Sequence, residues 1–201
     1  MRKSVIDLIN KLDYSIIADH RKDLLKPLHD YVILKVKQKV EANLNFICTH
    51  NSRRSQIAQV WAKIMSDYYG FNINCFSGGT ITTECNKRTI ASFRRMGFTI
   101  KNPGGENPHY ELTYHEKKKP IIVFSKAYDD VINPRNNFAA VMTCTNADEN
   151  CPLIPGSEKR ISLPYEDPKV FDNSTQESEK YDERSLQIAM EMKYVFNNEL
   201  N

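Results

Sequence analysis

The sequence predicts an α/β fold: a four-stranded parallel sheet flanked by helices on both faces, with an N-terminal helical extension and an inserted hairpin. Three observations predict it. From Leu44 onward, short apolar runs alternate with stretches whose apolar residues recur at helical spacing. Runs such as "FAAVM" are continuously apolar, as in parallel strands covered on both faces. Glycines follow the helical stretches at Gly70 and Gly97, where helices commonly stop.

Taken in order, residues 1–43 read as a helical extension. Val5, Leu8, Ile9 and Leu12 share one face, Leu24, Leu28, Val32 and Val36 another, and Pro27 marks a start or kink between them. "LNFIC" is a short buried strand. In the helix that follows, Ile57, Trp61, Ile64, Met65 and Tyr68 form one stripe. "NINCFSGG" is a second strand ending in glycines, and "NKRTIASFRRMG" a second helix with Ile90, Phe93 and Met96 inward. "FAAVMTC" and "KRISLP" supply the third and fourth strands, and a last helix near Ser178 to Asn198 buries Ile188, Met192 and Val195. The alternation breaks at 101–137, where "HYELTYHEKKKPIIVFS" carries Tyr110, Leu112 and Tyr114 at hairpin spacing. The expected organisation is an extension over 1–43 and one α/β domain over 44–201 with an insertion at 101–137.

Composition narrows the function classes. The chain has 201 residues, 40% apolar and 26% charged, enough for one well-packed domain. A net charge of +3 gives no push toward nucleic acid, and the lysine-rich "LKVKQKV" and "HEKKKP" read as a solvated helix face and a turn. No stretch approaches the roughly 18 apolar residues of a membrane span. "MRKSVIDLINKLD" lacks a signal-peptide core, so a cytoplasmic location is expected. In a reducing compartment, five cysteines favour catalytic or buried thiols over a disulfide framework. The histidines show no HExxH spacing and the cysteines no paired CxxC, so neither a metal nor another cofactor is expected.

The chemistry concentrates in "CTHNSRRS". Cys48 and Arg54 stand at C-x5-R spacing between a buried strand and an amphipathic helix. A tight loop there aims successive backbone N–H groups inward as an anion nest, and the helix start adds its unpaired donors and dipole. Arg54 can fork two donors onto a tetrahedral oxyanion. A thiol in such a field is favoured as the thiolate and becomes a nucleophile toward phosphorus or arsenic. A core-filling cysteine would have no use for "HNSRRS" after it. The residues expected to bind the oxyanion are Thr49, His50, Asn51, Ser52, Arg53, Arg54 and Ser55.

This stretch resembles the phosphate-binding loop C-x-x-N-x-x-R-S of the low-molecular-weight protein tyrosine phosphatases and of the thioredoxin-coupled arsenate reductases built on the same fold. It matches at Cys48, Asn51, Arg54 and Ser55. The resemblance implies a phosphatase-like sheet, with Asn51 bracing the loop and Ser55 hydrogen-bonding the thiolate. Asp167-Pro168 in "YEDPK" is similar to the family's Asp-Pro loop, which implies that Asp167 is the general acid.

The two branches separate at "VMTCTNADENCPLIP", which resembles the redox segment of the reductases. It implies a relay in which Cys48 attacks arsenate, Cys144 attacks Cys48, and Cys151 attacks Cys144, with thioredoxin or a similar dithiol reducing the product. Disulfide geometry requires Cα atoms within about 7 Å, so this segment must bend or partly unwind during the cycle. Gln56 after the loop and "KVFDN" after Asp167-Pro168 also lean toward the reductases. The alternative reading is a phosphatase acting on phosphotyrosine or small phosphate monoesters with Cys48, Arg54 and Asp167 alone. A third class, a sensor that holds an oxyanion without turnover, predicts a thiolate and disulfide formation but no steady-state product.

Departures from the pattern are His50 in place of glycine and Arg53 in place of cysteine, the latter adding charge near the cradle or facing solvent. Some reductases hold a potassium ion near the loop. Asn51 and Ser77 fit that pattern, but Gln59 replaces the usual glutamate, which argues against a cation site. Cys75 reads as a strand-packing thiol and Cys85 as a loop-exposed one.

Overall fold

Two helices, α1 (Lys3–Lys11) and α2 (Asp19–Gln38), open the computed structural model, which describes residues 1–151 and 153–197. Strand β1 (Ala42–Cys48), helix α3 (Arg54–Tyr68), strand β2 (Ile73–Gly79) and helix α4 (Lys87–Arg95) follow. Three short strands come next, β3 (Thr99–Lys101), β4 (Tyr110–Thr113) and β5 (Ile121–Val123). The chain closes with β6 (Phe138–Met142), α5 (Thr145–Asn150), β7 (Ser157–Ser162) and α6 (Glu177–Phe196).

The central sheet runs β2-β1-β6-β7, and every pairing in it is parallel. Its faces differ because consecutive residues of a strand point to opposite sides. Leu44, Phe46, Ala139, Val141 and Ile161 pack with Ile57, Trp61 and Ile64 of α3 and Ile188 and Met192 of α6. Ile47, Phe138, Ala140 and Met142 pack on the opposite face with Cys144, Ala147 of α5 and Ile154. The connections after β1 and after β6 thus leave toward opposite faces. The carboxyl ends of these two neighbouring strands form the crevice where open parallel sheets bind ligands.

The N-terminal helices share the larger core: Val5, Ile9, Leu25, Leu28 and Val32 are fully buried in it. Pro27 neither starts nor ends a helix, because α2 runs through it from Asp19 to Gln38. Its buried stripe is Leu25, Leu28 and Val32, while Leu24 is 40% exposed, a shift of one position from the expected face. Tyr68 also leaves its expected stripe, since at the last turn of α3 it is exposed and its hydroxyl donates to Asn10 Oδ1 at 3.1 Å. Cys85 is buried rather than loop-exposed, at 1% accessibility.

The expected hairpin is present as β4 and β5, but it belongs to an antiparallel sheet of order β3-β4-β5. The third strand, β3, begins at Thr99, two residues before the expected insertion. Among the described residues no helix is long and apolar enough to cross a membrane. Pro152 and the helix end expected at Asn198 lie outside the described residues.

Candidate active site

Loop 48–53 leaves β1 and enters α3 with its carbonyls turned outward. Cys48 O accepts from Thr80 N, Thr49 O from Ile81 N, and Ser52 O from Asn86 N. His50 O accepts from Ser125 Oγ at 2.8 Å, and Asn51 O from Gln56 Nε2 at 2.9 Å. With five successive carbonyls engaged outside, the loop's N–H groups are left to face inward, as an anion nest requires. Asn51 makes the turn at φ +47°, a left-handed conformation that asparagine tolerates better than most residues. Gly79 lets the loop sit this close to β2. A Cβ there would lie 2.8 Å from Thr49 O and 2.9 Å from Asn51 N, so only glycine fits.

Cys48 is buried at the floor of this loop. Its Sγ receives the N–H of Asn51 at 3.2 Å and lies 3.0 Å from Ser55 Oγ. Asn51 Nδ2 donates to the same Ser55 oxygen at 2.8 Å, which leaves the Ser55 proton free to point at sulfur. Both contacts to Cys48 Sγ are therefore donors. Asn51 is braced in turn, since its Oδ1 accepts from Lys126 N and Gln56 Nε2, both at 3.0 Å.

Two arginines and one carboxylate close the cleft, which is lined by Cys48, His50, Ser52, Arg53, Arg54 and Asp167. Arg54 donates to Tyr165 O and pairs with Asp167 Oδ2, both at 3.0 Å, and its buried Nε has no acceptor among the described residues. Arg53 does not face solvent: it is buried and bonds both oxygens of Asp167, at 2.7 and 3.2 Å. Burial pushes the Asp167 carboxyl up, but the Arg53 hydrogen bonds and the charge of Arg54 outweigh it and hold the group below its usual range.

Cys144 caps the start of α5, accepting from Ala147 N at 3.4 Å, and is buried. Its Sγ lies 3.5 Å from the hydroxyl of Thr49, the residue next to Cys48. Cys151 stands at the opposite end of α5, half-buried, its carbonyl accepting from Arg160 Nε at 3.2 Å. Cys75 is half-buried and Cys85 buried, and burial pushes both thiols up, Cys75 to about 12. Neither lines the cleft.

The potassium pattern does not fit these residues. Ser77 Oγ donates to Gln59 Oε1 at 2.5 Å, and Asn51 Oδ1 is already taken twice. Lys126, buried, lines the same cleft as Gln59. Gly79, Tyr165, Ser125 and Lys126 were not legible as site residues. Of these only Gly79, in a glycine pair ending a strand, left a signal in the sequence.

The fold and the cysteine-centred loop define the class, the low-molecular-weight phosphatase architecture. A phosphotyrosine phosphatase of this type from Vibrio cholerae O395 superposes with a TM-score of 0.52 at 16% identity, covering 77% of this chain and 93% of its own. An arsenate reductase in the phosphate-binding state superposes at 0.50 with 17% identity, over 77% and 96% of the two chains. No family model matches the sequence. Among curated proteins, the arsenate reductase of Staphylococcus aureus strain Newman is 32% identical over 124 residues, 61% of this chain and 76% of that protein. Arsenate reductase 1 of Staphylococcus saprophyticus is 30% identical over 123 residues, again 61% and 76%. The chain belongs to the low-molecular-weight protein tyrosine phosphatase and arsenate reductase family, and is a cysteine-dependent enzyme.

Proposed function

We propose that this chain reduces arsenate to arsenite through Cys48, Cys144 and Cys151. The observation that carries this reading is the place of Cys144, a second buried thiol at the same sheet edge, beside the residue that follows the nucleophile. Hydrolysis of a phosphate ester needs no such group.

The loop amides and Arg54 hold the arsenate, and Arg54 Nε is a donor without an acceptor among the described residues. Cys48 thiolate attacks arsenic, the As–S bond forms, and a hydroxyl leaves as water with a proton from Asp167. Asp167 must first gain that proton, which its pairing with Arg53 and Arg54 opposes. An oxyanion that draws Arg54 away from Asp167 raises the carboxyl, so binding prepares the acid. Cys144 then attacks Cys48 Sγ. The S–S bond forms, the As–S electron pair stays on arsenic, and arsenic(V) becomes arsenic(III). Cys151 attacks Cys144, frees Cys48 and leaves a Cys144–Cys151 disulfide for an external dithiol such as thioredoxin.

The second reading, hydrolysis of phosphate monoesters, uses the same loop and Asp167 and makes no use of Cys144 or Cys151. Arsenate-dependent NADPH oxidation with thioredoxin and its reductase separates the two. Turnover lost in both Cys144→Ser and Cys151→Ser supports the relay. No arsenate turnover, together with p-nitrophenyl phosphate hydrolysis indifferent to both changes, leaves the phosphatase.

A further inference from the structure

Away from the cysteine loop, a cleft of about 350 Å³ opens between β2, the outer strand of the parallel sheet, and the β4–β5 hairpin. Its volume lies within the range of small-molecule sites. The walls are apolar, built from Phe76, Tyr114, Pro120, Ile121 and Ile132. The charged residues that line it are all cationic: Lys63, Lys119 and Lys126. Lys63 is already neutralised by Asp67 at 3.0 Å.

Lys126 has no bonded counter-ion among the described residues. It is 3% exposed, its Nζ is shut off from water, and it meets no hydrogen-bond acceptor among the described residues. Its Nζ lies over the face of Phe124, 4.6 Å from the ring centroid, and the charge of Asp130 favours it from beyond hydrogen-bond range. An ammonium buried without a directly bonded anion carries a large desolvation cost. Burial accordingly lowers it to about 8, so at neutral pH the charge persists against that cost. An apolar cleft whose wall carries a buried cation with no bonded anion is complementary to a ligand with a flat apolar body and one negative group.

We propose that this cleft is a binding site for small organic carboxylates of the aryl class, with the carboxylate on Lys126 and the ring against Phe76 and Ile121. The site communicates with the catalytic loop through one residue. The N–H of Lys126 holds Asn51 Oδ1 at 3.0 Å, and its carbonyl accepts from Gly79 N at 2.8 Å. A carboxylate that repositions Lys126 therefore acts on the brace of the nucleophile loop from outside the catalytic cleft.

Titration of the ¹⁵N-labelled protein with benzoate, followed by amide chemical shifts, tests this without reference to any activity. Saturable shifts are expected, with the amides of Lys126 and Asn51 among those that move. Benzamide, the neutral isostere, and benzoate on Lys126→Met are each expected to bind at least about tenfold more weakly than benzoate on the native chain. Absence of saturation by about 10 mM benzoate overturns the proposal, since affinity that weak is no more than nonspecific contact. Equal binding of benzamide also overturns it, as does equal benzoate binding by a folded Lys126→Met. The benzamide comparison uses the native chain and decides the matter if Lys126→Met does not fold.

Discussion

Arg53 Nε lies 2.7 Å from Asp167 Oδ1, so the residue proposed as general acid is bonded to the one loop arginine that the family pattern does not require. The pair is two-pronged and partly buried. It holds Asp167 ionised over a range in which a general acid must carry a proton. Removing Arg53 should therefore raise the Asp167 carboxyl. In Arg53→Met, the alkaline limb of kcat/KM is expected to move up by about one pH unit, because that profile reports the acid in the free enzyme. Asp167→Asn should flatten the same limb. A profile unchanged in Arg53→Met would mean that the pair has no hold on the acid.

The same pair has a thermodynamic signature. The carboxyl of Asp167 is depressed in the folded chain, so the pair stabilises the fold above the unfolded carboxyl range, near pH 4. That stability is lost as pH falls through the lower folded value. Asp167→Asn is expected to cost roughly 1–3 kcal/mol at pH 7, with the difference from the native chain closing below about pH 4. Urea titrations at pH 7 and pH 3.5 check it.

Helix α5 stands in the way of the last thiol exchange of the proposed relay. Cys144 and Cys151 are seven residues apart at its two ends, a rise of about 10 Å if the helix stays wound. A disulfide tolerates at most about 7 Å between Cα atoms, so the oxidised form must give up at least one turn. Hydrogen exchange of residues 145–150 is expected to be faster after one arsenate turnover without reductant than in the reduced protein. In Cys151→Ser the helix should stay protected, and a Cys48–Cys144 disulfide should accumulate, visible by peptide mass spectrometry.

Much of this site was legible before the structure because its parts are contiguous. The proposed nucleophile, its loop and Arg54 occupy one stretch, and strand-then-helix periodicity on either side says how they are presented. What was hidden depends on residues far apart in sequence. Asp167 reaches Arg53 across 114 positions, and nothing in the pair "RR" says that both arginines turn inward. Lys126 sits in a loop with no periodicity, so its burial left no pattern. Strand β3 and helix α5 are shorter than the repeats that would reveal them. Leu24 was misplaced by one residue because a helix face 100° or more wide admits both Leu24 and Leu25, and only tertiary packing chooses.

Gly79 should be as intolerant of substitution as the loop it supports. A methyl group there meets Ile81 O at 2.6 Å and Thr49 O at 2.8 Å, all backbone atoms that cannot swing aside. Gly79→Ala is expected to displace the loop and lower kcat by about a hundredfold, since small misplacements at a reacting centre cost that much. The far-UV spectrum should be retained, because the clash is local to the strand end.

The N-terminal extension is expected to be part of the working fold rather than a detachable arm. Arg21 of α2 forks onto Glu191 of α6 at 2.9 and 2.8 Å, where Glu191 retains only 2% side-chain accessibility. The same guanidinium donates to Pro164 O at 3.0 Å and stacks 4.6 Å from the centre of the Tyr165 ring. Tyr165 in turn offers its carbonyl to Arg54, so the extension reaches the oxyanion cradle through two residues. Breaking a buried pair from one side leaves the other charge uncompensated, and Arg21→Ala is expected to cost roughly 3 kcal/mol. The cost should appear as a lower urea midpoint with an unchanged slope. A fragment beginning at residue 44 would expose the core surface that Val5, Ile9, Leu25 and Leu28 cover. It is expected not to fold cooperatively, whereas a folded fragment with native kcat would show that the extension can be dispensed with.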